Sequence, residues 1–275
     1  MTIRRPSIGV FDSGFGGLTV LKELIALAPD ADYFYFGDTA RLPYGSKSAD
    51  TVAKYAIGAA HYLEEHGAQM LVIACNTATA LALDKITLSS AVPVVGVIEP
   101  GAASASAASQ ARNVVVIGTE ATISSHAYAK ALQARGVQAK EKACPLLVPL
   151  VEEGWSDHTV TEQVARVYLD EAFADGSDSA DVLLLGCTHY PLLKQLLRRL
   201  VPSHVTIVDS ADSTARVVSQ LLRQGLPTAL VEKEERRGMP RLKFFVTDSA
   251  GKFQRLGTRF LGGLIEEVEH VELKE

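Results

Sequence analysis

Two short segments of the chain share one layout, and each carries a cysteine at the same place. The first is 70–77 (MLVIACNT) and the second is 182–189 (VLLLGCTH). In both, an apolar run ends in a small residue, which is followed by the cysteine and by polar residues that open a helix-like pattern. An apolar run of this kind is typical of a strand buried on both faces of a parallel sheet. Each segment therefore predicts a buried strand that carries a thiol, that of Cys75 or Cys187, to the start of a helix.

Thiols in this position are candidates for chemistry. Ligand sites in open α/β sheets lie at the carboxyl ends of the strands, and a helix N-terminus favours thiolate over thiol. Cys75 and Cys187, one from each half of the chain, could therefore face each other across one pocket as a matched acid and base. The third cysteine, Cys144, precedes a proline and lacks a helix-start context, so we expect it to be an inert packed residue.

The rest of the chain alternates strand-like and helix-like segments, which predicts an α/β fold with parallel sheets covered by helices. Strands are predicted at 7–11, 32–36, 69–74, 93–97, 113–118, 181–186, 204–208 and 242–247. Helices are predicted at 17–28, 47–66, 78–90, 101–111, 122–135, 159–174, 192–200 and 213–224. The charged segment 232–241 is expected to be a solvated loop.

The repeated cysteine segments, about 112 positions apart, indicate two similar halves. A chain of 275 residues is long enough for two domains of modest size. We expect the fold class to be α/β, with two similar parallel-sheet α/β domains. The first domain is predicted to comprise 1–97 plus 209–275, and the second to comprise 98–208.

Composition and charge argue against several classes of function. The net charge of −5 does not favour a nucleic-acid-binding surface. The sequence contains no run of about 18 apolar residues that would span a membrane, and its start lacks the apolar segment of a secretory signal. Its three cysteines form no Cys-x-x-Cys pair, which argues against a zinc site and for a reducing compartment. We therefore expect a cytoplasmic protein without nucleic-acid or membrane partners.

A glycine-rich turn follows the first predicted strand. The run 12–17 reads DSGFGG, so Asp12 and Ser13 end the strand and glycines open a helix. Such glycines let a ligand approach the backbone closely and leave amide groups free to bind an anion. The run is not a dinucleotide fingerprint, because Thr19 occupies the place of the third glycine. The alternative is a local role for Asp12 or Ser13 as a helix cap.

Two more segments are candidates for substrate contacts or proton transfer. The loop 36–46 follows a strand and contains turn residues, and Tyr44, Ser46 and the local backbone amides could bind a carboxylate. The alternative is a tight surface loop. The run 148–154 places a pair of carboxylates beside an apolar turn, and that pair could be structural or could handle protons. His189 could poise the neighbouring thiol, or it could be a hydrogen-bonded structural residue.

Together, these motifs resemble those of the glutamate racemases. The resemblance extends from about Ile8 to Asp209. The paired cysteine segments alone would indicate only the wider aspartate/glutamate racemase group, whereas the loop at 44–45 and the run 188–191 favour the narrower family. The matching segments are 12–17 (DSGFGG), 37–41 (GDTAR), 43–45 (PYG), 74–78 (ACNTA), 151–154 (VEEG) and 186–191 (GCTHYP).

The resemblance implies an enzyme that racemises glutamate without any cofactor and supplies D-glutamate for peptidoglycan synthesis. It also implies two pseudo-symmetric domains with the active site at their interface, commonly assembled as a homodimer. The small-molecule partner would then be glutamate. No cofactor and no metal ion are expected, because the sequence offers neither a lysine-based pyridoxal site nor a cluster of residues with metal-ligand spacing.

The chemistry fits the residues independently of the resemblance. Racemisation removes the α-proton from one face of the amino acid and returns a proton to the other, so two groups on opposite sides of a planar carbanion are needed. One must start as thiolate and the other as thiol, and Cys75 and Cys187 supply that pair. Without an electron-sink cofactor, the site must stabilise the developing carbanion through oriented donors and excluded water.

Three residues are expected to assist the thiols. Asp12 and His189 are the candidates for assisting Cys75 and Cys187 respectively, and Glu153 is expected to assist from the second half. The hydroxyl, amide and backbone donors at the helix starts are expected to hold the substrate. The predicted substrate-binding residues are Asp12, Ser13, Pro43, Tyr44, Gly45, Ser46, Asn76, Thr77, Thr119, Thr122, Thr188 and His189.

Three alternatives remain open at this point. A related racemase that acts on aspartate or a hydantoin would keep both thiols and differ in the side-chain pocket. A thiol redox protein would need the two cysteines close enough to bond. A non-catalytic binder of small molecules, built of two similar lobes, would use the same loops without chemistry.

We expect Cys75→Ser and Cys187→Ser each to abolish racemisation, because a serine hydroxyl is too weak an acid and base for this reaction. Each variant should still perform chemistry that needs one face only, such as elimination from a substrate with a leaving group. Cys144→Ser, the matched control, should keep its activity within a few-fold. Racemisation of glutamate followed by circular dichroism checks this, and a near-wild-type rate in either variant would show the two-base assignment to be wrong.

We also expect the purified protein to lack absorbance in the pyridoxal band and to remain active in a metal chelator. Activity that is lost with a chelator or with hydroxylamine would overturn the expectation of a cofactor-free enzyme.

Overall fold

The computed structural model describes residues 5–174, 179–225, 240–263 and 265–273. The strands in these ranges are β1 (Ser7–Asp12), β2 (Asp32–Gly37), β3 (Met70–Ile73), β4 (Val94–Gly96), β5 (Asn113–Gly118), β6 (Gln138–Ala143), β7 (Val182–Gly186), β8 (Thr206–Asp209), β9 (Leu242–Val246) and β10 (Glu269–His270). The helices are α1 (Leu18–Leu27), α2 (Ala49–Glu65), α3 (Asn76–Ser89), α4 (Ile98–Ala108), α5 (Glu120–Ser124), α6 (Ala127–Gln133), α7 (Leu147–Glu152), α8 (Thr159–Phe173), α9 (Lys194–Leu200), α10 (Ser210–Gln224) and α11 (Ala250–Leu261).

The strands form two parallel sheets. The first has the order β10-β9-β2-β1-β3-β4, and the second has the order β6-β5-β7-β8. We call the parts of the chain that carry these sheets the first half and the second half. The predicted α/β fold with two parallel-sheet domains is confirmed. The predicted domain boundaries stay a prediction, although the strands of the first sheet lie at 7–96 and 242–270 and those of the second at 113–209.

Each sheet is covered by helices on both faces, because its central strands are apolar on both sides. In β1, Ile8 and Val10 point into the core beneath α1, α10 and α11, whereas Phe11 joins the core beneath α2 and α3. In β5, Val114 and Val116 alternate in the same way with Val115. This two-sided burial is what the continuous apolar runs of the sequence predict.

The chain crosses between the halves and then returns. After β8, helix α10 packs against both α1 of the first half and α4 of the second. Strand β9 then pairs with β2, and α11 packs against α1. This return places α11, which is late in the sequence, beside the Gly-rich turn after β1, where Phe253 packs on Phe15 with ring centroids 5.8 Å apart.

Four elements within the described ranges are absent from the sequence prediction. Strand β6 is polar and lies at a sheet edge, helix α7 contains Pro149, and β10 has two residues. Helix α11 places Phe253, Leu256 and Phe260 on one face at a helical spacing, but it also contains glycines, which lower helix propensity. The other three elements are too short or too polar to show the apolar periodicity on which the prediction depends.

One helix that the sequence predicts as continuous is two separate helices in the structure. The segment 122–135 is split into α5 and α6, because His126 adopts a left-handed backbone conformation with φ of 55° and interrupts the helix. The predicted loop at 232–241 lies almost entirely outside the described residues. Of the helices that are described, none is long and apolar enough to cross a membrane.

Candidate active site

A pocket of about 400 Å³ lies between the two halves, at the carboxyl ends of their strands. Both Cys75, which follows β3, and Cys187, which follows β7, line it. Its wall also contains ten of the predicted substrate-binding residues: Ser13, Pro43, Tyr44, Gly45, Ser46, Asn76, Thr77, Thr119, Thr188 and His189. The strand-to-helix junctions of both sheets thus converge on one cavity.

Three predicted residues are not in the pocket wall. Asp12 is buried behind it, and Thr122 is buried beside Thr119. Glu153 is exposed and is not among the lining residues, whereas its neighbour Glu152 lines the cavity. The one-residue difference arises because the carboxylate pair lies at the end of α7, where successive side chains point in different directions.

Cys75 is held as a neutral thiol. It is the N-cap residue of α3, and its sulfur accepts a hydrogen bond from the Ala78 N–H at 3.4 Å and lies 3.5 Å from Ser13 Oγ. Burial and, after it, the nearby charge of Asp12 raise the pKa of Cys75 to about 12, although the hydrogen bonds of Ala78 and Ser13 act in the opposite direction. The expected preference of a helix start for thiolate is therefore outweighed at Cys75 by the loss of water.

Cys187 has a different environment, because a charged histidine accompanies it. His189 Nδ1 lies 3.9 Å from Cys187 Sγ, and Nε2 lies 3.2 Å from Glu152 Oε1. Burial alone would lower the pKa of His189, but the hydrogen bonds and charges of Cys187 and Glu152 outweigh it and raise the pKa to about 10. An imidazolium beside a sulfur is the arrangement that accompanies a thiolate in cysteine enzymes.

Glu152 completes this chain of charges. Burial raises the pKa of its carboxyl group, but the hydrogen bond and charge of His189 outweigh burial, so the pKa lies below its ordinary value. Glu152 therefore accepts the Nε2–H bond as a carboxylate and fixes the ring with Nδ1 towards the sulfur. The sequence signal for Glu152 was present in the carboxylate pair, but the pair alone could not tell which member faces the pocket.

Asp12 has one carboxylate oxygen engaged and one free. Oδ2 accepts a hydrogen bond from the Gly14 N–H at 2.9 Å. Asp12 therefore stabilises the turn after β1, but it does not cap α1 as the alternative interpretation suggests. Oδ1 is buried and finds no hydrogen-bond partner among the described residues. Burial raises the pKa of Asp12, and the charge of His189 and the N–H groups of Gly14 and Gly17 offset this only in part.

Asn76 offers a donor to the pocket. The hydroxyl of Tyr128, a buried residue of α6, donates to Asn76 Oδ1 at 2.6 Å and so fixes the orientation of the amide. Asn76 Nδ2 is then left buried, without a hydrogen-bond partner in the described part of the chain. A buried donor without a partner is costly, so this N–H₂ group is a natural contact for a ligand oxygen.

Three threonine hydroxyls join the halves at the edge of the pocket. Thr77 Oγ1 lies 2.9 Å from Thr119 Oγ1 and 3.3 Å from Thr122 Oγ1, and the latter two lie 2.8 Å apart. Thr119 also caps α5. The cluster places Thr77 and Thr119 in the wall and leaves Thr122 to support them from behind.

The loop at 43–46 is fastened by a buried carboxylate that the sequence analysis does not single out. Asp38 is fully buried and accepts hydrogen bonds from Tyr44 Oη at 2.6 Å, Arg41 Nη1 at 3.0 Å and Thr247 Oγ1 at 2.8 Å. The Tyr44 hydroxyl is therefore occupied by Asp38 and is not a free donor to the substrate. The loop nevertheless lines the pocket with Pro43, Gly45 and Ser46 as well as Tyr44.

The described residues contain no group of three or more histidine, cysteine, aspartate or glutamate side chains that could hold a metal ion. Cys144 is fully buried outside the pocket wall, as expected of a packed cysteine.

The family model of the Asp/Glu/Hydantoin racemases matches residues 8–218. The chain belongs to this family and, within it, to the glutamate racemases. It is 58% identical to the glutamate racemase of Koribacter versatilis (strain Ellin345), with 99% of each chain covered. Among solved structures, it is similar to a glutamate racemase from Bacillus anthracis, with a TM-score of 0.88, 35% identity and 98% of each chain covered. The glutamate racemase of Francisella tularensis in complex with D-glutamate gives a TM-score of 0.87, 35% identity and the same coverage.

The neighbouring carboxylates Glu152 and Glu153 allow a matched test. Glu152→Gln should lower kcat by about 10²-fold, the scale of assistance in proton transfer, because it removes the charge that helps to keep His189 protonated. The alkaline limb of the pH profile should move to lower pH, since His189 then loses its proton more easily. Glu153→Gln should behave as wild type. Steady-state rates from about pH 6 to about 11 would check this. A larger loss of kcat in Glu153→Gln than in Glu152→Gln would instead assign the assistance of proton transfer to Glu153, as the sequence analysis predicts.

Proposed function

We propose that the chain interconverts L- and D-glutamate by a cofactor-independent mechanism in which Cys75 and Cys187 are the two acid/base groups. The observation that carries the proposal is that two buried thiols, one from each half, line a single pocket. The reaction needs one thiol that donates a proton and one thiolate that accepts a proton, and the surroundings of the two cysteines differ accordingly. Cys75 is held as a thiol by burial, and Cys187 has an imidazolium beside it.

The proton transfers follow from this asymmetry. In the first step, the Cys187 thiolate takes the α-proton of the enantiomer whose C–H bond faces it, and the electron pair stays on the α-carbon. The Cys75 thiol then gives its proton to the opposite face, which yields the other enantiomer, a Cys75 thiolate and a Cys187 thiol. The other enantiomer reacts through the same steps in reverse, with the Cys75 thiolate as the base. The pocket excludes water during both transfers, which strengthens every interaction with the developing charge.

Donors and acceptors for the amino acid are present in the wall. Asn76 Nδ2 and the hydroxyls of Thr77 and Thr188 are suited to the α-carboxylate. Asp12 Oδ1, a buried acceptor without a partner among the described residues, is suited to the ammonium group or to the proton of Cys75. The loop 43–46 and Thr119 remain for the distal carboxylate.

The cellular role we propose is the supply of D-glutamate for peptidoglycan synthesis, in the cytoplasm and as a homodimer. Two points support it: the relatives that match nearly the whole chain are glutamate racemases, and one solved neighbour is complexed with D-glutamate.

The reaction is tested most simply in deuterated water. Wild-type protein incubated with L-glutamate should give D-glutamate that carries deuterium at the α-carbon, while the remaining L-glutamate keeps its proton at early times. This pattern arises because the incoming proton comes from a second, solvent-equilibrated thiol. Product that retains the original proton would contradict a two-base mechanism, and exchange of L-aspartate but not L-glutamate would indicate the related substrate instead.

Asp12 should affect turnover more than binding. We expect Asp12→Asn to lower kcat by about 10²-fold or more and to raise KM less, because an amide cannot accept the Cys75 proton. Enantiomers have equal free energies, so kcat/KM must fall equally in both directions. Kinetics in both directions check this, and a normal kcat would reduce Asp12 to its turn-stabilising bond with Gly14.

Residues of the 43–46 loop should affect binding more than turnover. We expect Ser46→Ala mainly to raise KM, because this side chain only positions the substrate. Tyr44→Phe should raise KM as well, through loss of the bond to Asp38 that fastens the loop. A large fall in kcat with unchanged KM in either variant would place these residues in the chemical step.

A further inference from the structure

The imidazole of His189 belongs to the second half but is packed between two elements of the first. On one side lies Gly16, whose missing side chain leaves room for the ring. A Cβ atom at Gly16 would come within 2.6 Å of His189 Nδ1 and would also collide with the Thr188 hydroxyl. The adjacent Thr19 hydroxyl lies 3.0 Å from the Thr188 carbonyl oxygen, which it reaches as a donor. The glycine thus makes space for a catalytic side chain from the other half.

On the other side lies Phe260 of α11. Its ring centroid is 5.2 Å from that of His189, and the two rings are nearly perpendicular, at 82°. Phe260 is buried, so this contact is part of the packed core. Edge-to-face contacts of this kind have a preferred geometry and restrict how a ring can turn.

Helix α11 also reaches the element that carries Glu152. The Arg259 guanidinium lies against Gly154, where φ is +82° and where a Cβ atom would come within 2.8 Å of Arg259 Cζ. The positive charge of Lys252 acts on Glu152 in the same sense as that of His189. One helix of the first half therefore packs on His189 and also lies against Gly154, two residues after Glu152.

We propose that Phe260 and Gly16 are positioning residues that hold the His189 imidazole with Nδ1 towards Cys187, so that proton transfer at Cys187 depends on the packing of the first half against the second. The inference rests on the two-thiol reaction proposed above. Cys75 has no such dependence, because its neighbours Ala78 and Ser13 belong to the same half as the thiol itself.

Racemisation rates alone cannot test this asymmetry, because both thiols act in each direction. Elimination can, because it needs one base. From a 3-chloroglutamate, a thiolate takes the α-proton and becomes a thiol, the C–H electron pair forms the Cα–Cβ double bond, and chloride leaves with the C–Cl pair. Each enantiomer presents its α-proton to one thiol only. Cys75→Ser and Cys187→Ser identify which enantiomer depends on which thiol.

The decisive variant is Phe260→Leu. Elimination from the Cys187-dependent enantiomer should fall by about tenfold or more, because small displacements of a catalytic group have large effects on rate. Elimination from the Cys75-dependent enantiomer should stay at the wild-type rate, and it serves as an internal measure of correct folding. Phe260→Tyr, which keeps the ring, should keep most of the wild-type rate with both enantiomers.

Phe253→Leu is the matched control, since Phe253 is a buried phenylalanine of the same helix that packs on Phe15 and Tyr35 instead of His189. It should not discriminate between the enantiomers. Equal losses with both enantiomers in Phe260→Leu, or no loss with either, would overturn the inference. Wild-type protein that neither racemises glutamate nor eliminates chloride would instead refute the proposed function.

Discussion

The burial of two thiols in one pocket, each with different neighbours, is the constraint on which the rest of the site depends. Burial raises the pKa of Cys75 from its ordinary 9.0 to about 12, which corresponds to about 4 kcal/mol against the thiolate. At Cys187 the imidazolium lies 3.9 Å away, and two unit charges about 4 Å apart attract by about 4 kcal/mol at an effective dielectric constant of about 20. Cys187 is as buried as Cys75, so this attraction is similar in size to the cost of burying a thiolate and opposes it.

The architecture provides this asymmetry through the way the chain crosses between its halves. Each sheet delivers its cysteine at a strand end, which is a local property of the sequence around β3 and β7. The surroundings of Cys187 are assembled from both halves: His189 and Glu152 come from the second half, whereas Gly16 and Phe260 come from the first. The return of the chain through α10 to α11 is therefore part of the active site as well as of the fold.

The parts that could be predicted from the sequence are those that depend on local pattern. The apolar runs predict the central strands, and a cysteine after a small residue predicts a thiol at a helix start, because both follow from periodicity and position alone. Helices α7 and α11 escape prediction, since one contains Pro149 and the other has glycines at 251 and 257. Tertiary packing decides where α7 and α11 form and lie, and a local sequence pattern carries no information about that packing.

Side-chain direction marks the other limit of prediction. The carboxylate pair after β6 is visible in the sequence, but only the turn of α7 decides that Glu152 faces the pocket and Glu153 faces solvent. The Tyr44 hydroxyl is likewise committed to Asp38, a residue whose burial no local pattern signals. The preference of a helix start for thiolate was a sound local argument for Cys75, and burial outweighed it.

The central claim, that proton transfer at Cys187 depends on the imidazolium beside it, is tested most directly by His189→Gln, assayed by elimination from the two enantiomers of a 3-chloroglutamate. We predict that elimination from the Cys187-dependent enantiomer falls by about 10²-fold, while elimination from the Cys75-dependent enantiomer stays near the wild-type rate. Equal losses with both enantiomers, or a loss confined to the Cys75-dependent one, would contradict the account.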